Sequence, residues 1–330
     1  MTIRRRSILM AALSAGAAAP LIHGTAADAP APVRVGALRF GTVSWELDTI
    51  RRHGFDIAAG VKLEAVPFAA SQATQVALQA GRVDITVQDC FWVSRQRSTG
   101  ADWTMVPFSS AIGAVVASPS SPVREIRDIK GHRLGVAGSP LDKSWLILRA
   151  YAQKVLQLDI DHAVDKTFAP PPLLAEELAQ GRIDAALTFW PFAAKAEAAG
   201  MRRLLAIEDA IEALGVPAGV SLTGYVFSEK WANANRALVR GFLAATAAAH
   251  DLLAHSDSEW ETLRPLTGAT SDAELRELRN YYRSGIPRQQ GPADQEAAAK
   301  LYQIVAAIGG SELVGSASNL APGTFWQAPT

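Results

Sequence analysis

One phrase occurs twice in this chain: segment 78–85, LQAGRVDI, is echoed by segment 178–185, LAQGRIDA. Each copy follows an apolar helical run, and we expect Gly81 and Gly181 to end those helices in the left-handed conformation. The apolar residues after each glycine predict short buried strands over 83–87 and 183–187. A merely favourable helix-to-strand turn would not explain why the flanking elements also match. The repeat therefore predicts two similar α/β lobes, and facing lobes form a cleft for a ligand.

Composition limits the function classes. The 330 residues are 49% hydrophobic, enough for two domains with their own cores. The 32 basic and 32 acidic residues balance, which argues against a nucleic-acid-binding protein, since such proteins carry a basic excess. Cys90 is the one cysteine, so no intramolecular disulfide can form, and the six histidines lack the spacing of a structural zinc site. We expect a monomer with no metal, no cofactor and no catalytic residue.

The N-terminus predicts an export signal over residues 1–27. Arg4, Arg5 and Arg6 precede an apolar, alanine-rich stretch that ends in small residues, with cleavage expected near Ala26 or Ala27. The paired arginines also fit a twin-arginine signal, and the sequence leaves open whether that route or the general one is used. The stretch is too short to favour an uncleaved membrane anchor, and no later segment is expected to span. A periplasmic location follows as an expectation.

Alternating strand and helix patterns predict the order of elements. Strands are expected over 33–40, 62–68 and 83–87, with helices between them, which gives a parallel sheet covered by helices. Residues 112–118 and 222–228 are interpreted as two strands that cross between the lobes. The predicted first lobe is discontinuous, 28–116 and 224–330, and the second lobe is 117–223. Helices over 229–255, 271–282 and 294–308 are expected to complete the first lobe.

Segment 128–139, DIKGHRLGVAGS, resembles a segment of periplasmic solute-binding proteins of ABC importers, in the branch for nitrate, sulfonates, taurine and thiamine-type pyrimidines. The doubled Gly-Arg-(Val/Ile)-Asp phrase and Pro191 are similar to that branch too. The resemblance covers most of residues 33–305. It implies two Rossmann-like α/β lobes joined by two crossover strands, as in type II periplasmic binding proteins, with a ligand between the lobes and a membrane permease as partner.

The candidate site follows from the fold. Ligands of open α/β sheets bind where strands lead into helices, and free N–H groups at helix N-termini favour anionic groups. These loops are nevertheless rich in aromatic residues and contain Glu46, Asp89 and Asp142, which favours a small organic ligand with a planar or cationic part over a bare inorganic anion. The predicted ligand-binding residues are Ser44, Trp45, Ser71, Gln72, Asp89, Ser139, Asp142, Ser144, Trp190 and Tyr225.

Each candidate also has a purely structural interpretation. Trp92 and Trp145 are equally compatible with the core, and Glu46 and Asp142 can act only on the helix dipole. Asp84 and Asp184 are expected to be turn or cap residues. Ser44, Ser71, Ser139 and Ser144 are also plausible helix N-caps. Asp89 and Trp190 are the strongest candidates, because each directly follows a repeat strand.

The sequence favours a binding protein that delivers a small organic ligand, such as a sulfonate, an amine or a pyrimidine, to an ABC permease. Two alternatives stay open: an accessory protein of a periplasmic oxidoreductase, and an enzyme on the same fold, of the thiamine-pyrimidine or menaquinone-pathway type. The second lacks support, because no Gly-x-Ser-x-Gly elbow, phosphate loop or His-Glu-x-x-His occurs. Cys90 has no histidine nearby in sequence to activate it.

Overall fold

The structure is a computed structural model that describes residues 32–287, 291–314 and 318–327. The expected signal segment 1–27 lies outside the described residues. Ten strands within the described part form two five-stranded sheets, in the orders β2-β1-β3-β10-β4 and β7-β6-β8-β5-β9. Helices flank both sheets, so the chain has the predicted two-lobed α/β fold.

Four strands of the first sheet run in one direction, and the fifth runs antiparallel to them. Strand β1 pairs in parallel with β2 and β3, whereas β10 is antiparallel to both β3 and β4. The expected all-parallel sheet is therefore mixed, because β10 returns from the second lobe and enters from the opposite end. The strands are β1 (Val33–Leu38), β2 (Leu63–Phe68), β3 (Ile85–Asp89), β4 (Trp103–Ser109) and β10 (Thr223–Ser228).

The second sheet repeats this plan. Strand β6 pairs in parallel with β7 and β8, and β5 is antiparallel to β8 and β9. The fourth strand of each sheet is thus antiparallel to its neighbours, and it is the first strand after the chain arrives from the other lobe. The strands are β5 (Gly113–Ala117), β6 (Arg133–Ala137), β7 (Asp165–Ala169), β8 (Ala185–Phe189) and β9 (Arg202–Ala206).

Fourteen α-helices occur in the described ranges, and a 3-10 turn (Ile126–Ile129) and a π-helical segment (Ala152–Leu156) add to them. The helices are α1 (Val43–His53), α2 (Phe55–Ala58), α3 (Ser71–Gln79), α4 (Cys90–Ser98), α5 (Lys143–Tyr151), α6 (Ile160–Ala163), α7 (Pro171–Ala179), α8 (Trp190–Ala198), α9 (Ile207–Ala213), α10 (Glu229–Ala234), α11 (Arg236–His255), α12 (Asp257–Thr267), α13 (Asp272–Gly285) and α14 (Pro292–Val314).

The repeated phrase behaves as predicted at its glycines and differs at its strands. Gly81 and Gly181 have φ angles of 63° and 69°, in the left-handed region. Strands β3 and β8 begin at Ile85 and Ala185, two residues later than expected. The difference arises because Asp84 and Asp184 each lie against an arginine of the neighbouring strand. The backbone N–H of that arginine donates to the aspartate side chain instead of to a main-chain carbonyl, and the two side chains form an ion pair.

The chain crosses between the two sheets twice, as expected, immediately before the strands over 113–117 and 223–228. Strand β5 is hydrogen-bonded only within the second sheet and β10 only within the first, so the chain changes sheet before Gly113 and before Thr223. Both changes use irregular backbone, around 110–112 and 214–222, rather than a strand. The exact limits of the two lobes stay a prediction. Strands β4, β7 and β9 were not predicted.

A buried cluster of large side chains joins helices of both lobes. It contains Trp45 of α1, Trp190 of α8, Trp260 of α12 and Tyr282 of α13, all at most 6% exposed. The other clusters lie against the sheets, and α11 contributes Phe242 to the core of the first. This helix contradicts one expectation, since by length and composition α11 could span a membrane. Its buried face in the core is typical of a core helix.

Candidate ligand-binding cleft

A cleft of about 360 Å³ lies where the parallel strands of both sheets end. From the first lobe it is lined by residues that follow β1 and β3 and by the beginning of α3; from the second it is lined by the loops β6–α5 and β8–α8. The carboxyl ends of parallel strands are where an open α/β sheet offers helix N-termini and loops to a ligand. The cleft therefore has the position that the fold predicts for a binding site.

Two carboxylates reach this cleft from opposite lobes, and both are helix N-caps. Asp89 accepts a 2.8 Å hydrogen bond from the backbone N–H of Trp92 at the start of α4. Asp142 accepts a 2.8 Å bond from the backbone N–H of Ser144 at the start of α5. Each bond uses Oδ1 and fixes the side chain, and the described residues donate no hydrogen bond to either Oδ2. Both carboxylates can therefore accept a bond from a ligand.

The two carboxylates also influence each other. Burial raises the pKa of Asp142; Lys143 opposes this shift and the negative charge of Asp89 adds to it. Lys143 lies beside the ring of Phe189, with its Nζ 5.7 Å from the ring centroid. Gly138 explains how Asp142 fits here, because its φ is 94° and a Cβ at that position would lie 2.9 Å from Oδ2 of Asp142. A positively charged group between the aspartates would relieve their repulsion.

Aromatic rings form much of the remaining wall. Phe40 of the first lobe meets Phe192 of the second edge to face, with ring centroids 5.8 Å apart. Trp92 and Trp190 line the cleft while remaining only 4% and 6% exposed. Such rings favour a planar apolar group or a cation over their faces.

A fixed polar group lies at the end of β3. Gln88, which is 5% exposed, donates a 2.8 Å hydrogen bond to Oγ1 of Thr74 and accepts a 2.9 Å bond from Gln75. Both bonds hold the amide in one orientation. All three residues line the cleft, so a ligand meets a preorganised hydrogen-bonding surface there rather than a mobile one.

Six of the ten predicted ligand-binding residues line the cleft. The set combines the beginning of α3, the N-caps of α4 and α5, and the loops of the second lobe. It consists of Ser71, Gln72, Asp89, Ser139, Asp142 and Trp190. Whether these side chains contact the ligand stays a prediction.

Four predicted residues lie away from the cleft wall. Helix α1 begins at Val43 with Thr42 as N-cap, two residues before the expected N-cap Ser44, whose hydroxyl donates to the carbonyl of Gly41. Trp45 packs edge to face behind Trp190, with ring centroids 5.8 Å apart. Ser144 is buried at the start of α5, which is capped by Asp142 instead. Ser71 and Ser139 are not N-caps either, since Ala70 and Asp142 occupy those positions.

Tyr225 and Glu46 belong to a buried network in the first lobe. The Glu46 carboxylate is 1% exposed and accepts bonds from the hydroxyls of Tyr225 (2.5 Å) and Tyr282 (2.6 Å), and it lies 2.8 Å from Nε2 of His250. The helix-dipole interpretation of Glu46 is therefore incomplete, because its carboxylate is also held by the hydroxyls of two tyrosines. Phe108, which lines the cleft, packs on Tyr225 with centroids 4.9 Å apart, so the network supports the wall from behind.

Sequence reasoning missed several lining residues, among them Phe40, Gln88, Phe108, Lys143 and Phe189. Phe108 was missed together with β4, although the run 103–109, WTMVPFS, has the aromatic and β-branched content of a strand. Pro107 is compatible with β4 because β4 is an edge strand of the first sheet. Gln88, Lys143 and Phe189 are each adjacent to a predicted ligand-binding residue, and Phe40 is the last residue of the first predicted strand.

Trp145 and Cys90 have structural environments. Trp145 is 1% exposed and packs in the core, so the core interpretation is correct for it. Cys90 is fully buried, and its burial raises the pKa of the thiol well above its usual value, as does the nearby Asp89. In the described ranges no group of three or more histidine, cysteine, aspartate or glutamate residues is arranged to hold a metal ion.

A family model described as NMT1/THI5 like matches residues 51–259, more than half of the chain. The chain belongs to this family. The match spans both lobes, including Asp89, Asp142 and Trp190 of the cleft. No curated protein sequence matches the chain.

Solved structures show the same fold at low identity. The periplasmic aliphatic sulphonate binding protein SsuA from Escherichia coli matches with a TM-score of 0.69 and 22% identity, over 91% of this chain and 93% of that one. The alkanesulfonate-binding protein SsuA from Xanthomonas axonopodis pv. citri, bound to MOPS, gives 0.71 and 19%, over 91% and 99%. A Candida albicans product described as having the generic periplasmic binding protein fold gives 0.64 and 14%, over 91% and 99%.

Proposed function

We propose that this chain is an extracytoplasmic solute-binding protein that holds a small organic molecule with a planar apolar part and a cationic nitrogen, amine-like or pyrimidine-like. The observation that carries the proposal is the pair Asp89 and Asp142: two N-cap carboxylates from opposite lobes line one aromatic-walled cleft. The fold and the low-identity neighbours support a binding role, and the cleft chemistry supports the ligand class.

The carboxylates favour a cationic over an anionic ligand. A free helix N-terminus attracts an anion, because its N–H groups lack partners and carry partial positive charge. At α4 and α5 that attraction is already satisfied by Asp89 and Asp142, each of which adds a negative charge. A sulfonate placed between them would be repelled, whereas an ammonium would form charge-assisted hydrogen bonds. The ligand class named for the SsuA neighbours is therefore the main competing candidate.

Three probes that differ only in their head group test this choice: 2-phenylethylamine, 2-phenylethanol and 2-phenylethanesulfonate. We expect the ammonium to bind with the highest affinity by calorimetry and to raise the melting temperature most, since a ligand at a hundredfold excess over Kd stabilises a fold by about 2.7 kcal/mol. Preference for the sulfonate contradicts the cationic assignment. Failure of all three to bind contradicts the proposed ligand class.

Variants of the two aspartates locate the effect. Asp89→Asn and Asp142→Asn each remove a charge-assisted hydrogen bond worth roughly 1.5–3 kcal/mol, so each should lower the affinity for 2-phenylethylamine about ten- to a hundredfold. Affinity for 2-phenylethanol should change little. Asp184→Asn, far from the cleft lining, serves as the matched control. Native affinity in both cleft variants would exclude the aspartates as ligand contacts.

Export and delivery to an ABC permease complete the proposal. The basic and apolar N-terminus supports processing near Ala26 or Ala27 and a periplasmic location, which mass analysis of the mature protein in the soluble periplasmic fraction tests. An intact Met1 in the membrane fraction would contradict it. Replacing Arg5 and Arg6 by lysine separates the twin-arginine from the general route. Co-purification from periplasm with an oxidoreductase instead of a permease would favour the accessory role.

A further inference from the structure

We propose that Tyr281 is a positioning residue of the cleft, which fixes the plane of the Trp190 indole. The inference rests on the proposed function, in which Trp190 faces the ligand. Tyr281 is not a lining residue of the cleft, and it lies on α13, far from Trp190 in sequence.

The two rings are parallel and offset. Tyr281 and Trp190 have an interplanar angle of 6° and centroids 6.2 Å apart. Trp45 meets the same indole edge to face at 5.8 Å and an angle of 88°. The indole is therefore confined by three rings of different orientation, since Tyr282 also lies 6.4 Å from it at an angle of 57°. Loss of the parallel ring would leave edge-to-face and tilted contacts, which fix the plane of the indole less strictly.

Tyr281 is itself held from the second lobe. Its hydroxyl donates a 2.6 Å hydrogen bond to Oε1 of Glu197 at the end of α8, and Glu197 forms an ion pair with Arg203 of β9. The guanidinium of Arg203 lies over the Tyr281 ring, 5.2 Å from its centroid. These three groups form a closed set of contacts. A ring held by a hydrogen bond, a cation and a stacked indole has one orientation.

The next residue faces the other lobe. Tyr282 donates its hydroxyl to the buried Glu46 of α1. Consecutive tyrosines of α13 thus anchor the helix to α8 and β9 on one side and to α1 on the other. Helix α8 is also joined to helix α12, because Nζ of Lys195 on α8 donates hydrogen bonds to the carbonyls of Thr267 and Gly268 at the end of α12. The position of Trp190 is therefore set by helices of both lobes.

The spectroscopic test uses ligand-free protein. Near-ultraviolet circular dichroism spectra are recorded for wild type and Trp190→Phe, and their difference gives the signal of Trp190. The same difference is then recorded between Tyr281→Leu and the double variant Tyr281→Leu/Trp190→Phe. We expect the Trp190 signal to fall by about half or more with leucine, which cannot stack, and to be largely retained with Tyr281→Phe, which can. Tyr151→Leu, a half-buried tyrosine of α5, is the control for general destabilisation. An unchanged Trp190 signal in Tyr281→Leu would overturn the proposal.

The binding test uses 2-phenylethylamine and a double-mutant cycle. Tyr281→Leu should lower its affinity about two- to tenfold in the wild-type background, the size of one aromatic contact. It should have no further effect in Trp190→Phe. An equal loss in both backgrounds would show that Tyr281 does not act through Trp190. If the wild type does not bind the probe, the proposed function is contradicted, while the dichroism cycle still decides the positioning role.

Discussion

Asp184 repeats in the second sheet the contacts that Asp84 makes in the first. Each carboxylate accepts a 2.8 Å bond from the backbone N–H of an arginine, Arg133 or Arg34, and two further bonds from its guanidinium. Each aspartate also donates its own N–H to the carbonyl of that arginine. The segments 34–36, RVG, and 133–135, RLG, therefore belong to the repeat as well. The duplicated unit consists of three strands with the helices between them, and an ion pair joins its first strand to the residue before its third.

This relationship predicts a loss of stability without a loss of binding. Asp84→Asn and Asp184→Asn should each lower the melting temperature by about 2–4 °C, because each weakens the bonds that join two adjacent strands of one sheet. Affinity for 2-phenylethylamine should stay within twofold of wild type, since neither aspartate lines the cleft. Calorimetric unfolding and binding titrations on the same samples check both parts. Lost binding at an unchanged melting temperature would contradict the structural role.

Binding of a cationic ligand should depend on pH through Asp142. Burial and Asp89 raise the pKa of this carboxyl despite Lys143, so it becomes protonated at a higher pH than an ordinary aspartate. Affinity for 2-phenylethylamine should therefore fall as the pH is lowered from 7 through that raised pKa. The profile for Asp142→Asn should be flatter over the same range. Calorimetry in matched buffers from pH 7 to 4 measures both, with 2-phenylethanol as the uncharged comparison.

The same carboxyl has the opposite effect on stability. Since the folded state binds the proton of Asp142 more tightly than the unfolded state, its contribution favours folding at low pH and is lost as the pH rises from the unfolded pKa through the raised folded pKa. The free energy of unfolding of wild type relative to Asp142→Asn, measured as a function of pH, should therefore decline between those two pKa values. A contribution that instead rises with pH would show that the pKa is lowered in the folded protein.

His250 should make stability sensitive to pH through its contact with Glu46. Burial lowers its pKa, but the charge and hydrogen bond of Glu46 outweigh this, so the pKa is raised above 6.5. A raised histidine pKa contributes stability that is complete below the unfolded pKa and is lost as the pH rises through the folded one. The melting temperature of wild type relative to His250→Asn should therefore decline as the pH rises above 6.5. Thermal unfolding of both proteins from pH 5.5 to 9 measures this decline. A difference in melting temperature that does not change with pH would show that His250 and Glu46 do not form the pair.

Cys90 should be chemically silent in the native protein. Its side chain is fully buried and burial raises the pKa of its thiol, so the reactive thiolate is scarce and inaccessible. A chromogenic disulfide reagent for thiols should react with Cys90 only as fast as the protein unfolds. Cys90→Ala should keep the affinity for 2-phenylethylamine within about threefold of wild type. Rapid modification of the native protein would instead show that the thiol is accessible and reactive.

The sequence by itself determined the repeated unit and its position in the fold. Gly81 and Gly181 show why: a helix that ends before a buried strand needs a residue in the left-handed conformation at its C-terminus, and glycine at that position can be recognised from the sequence alone. The same holds for Asp89, because a carboxylate directly after a strand and before a helix becomes an N-cap at the cleft. These features depend on neighbouring residues only.

Other outcomes were decided by the tertiary structure alone. Trp45 and Trp190 both lie in the first turn of a helix that follows a strand, yet Trp190 lines the cleft and Trp45 packs behind it, because α12 places Trp260 against Trp45 and α13 places Tyr282 against Trp190. Tyr225 looked like a residue of the hinge, but Glu46, far away in sequence, holds its hydroxyl in the interior. Local patterns fix where a strand meets a helix. Which side of that junction faces the ligand depends on packing between segments that are distant along the chain.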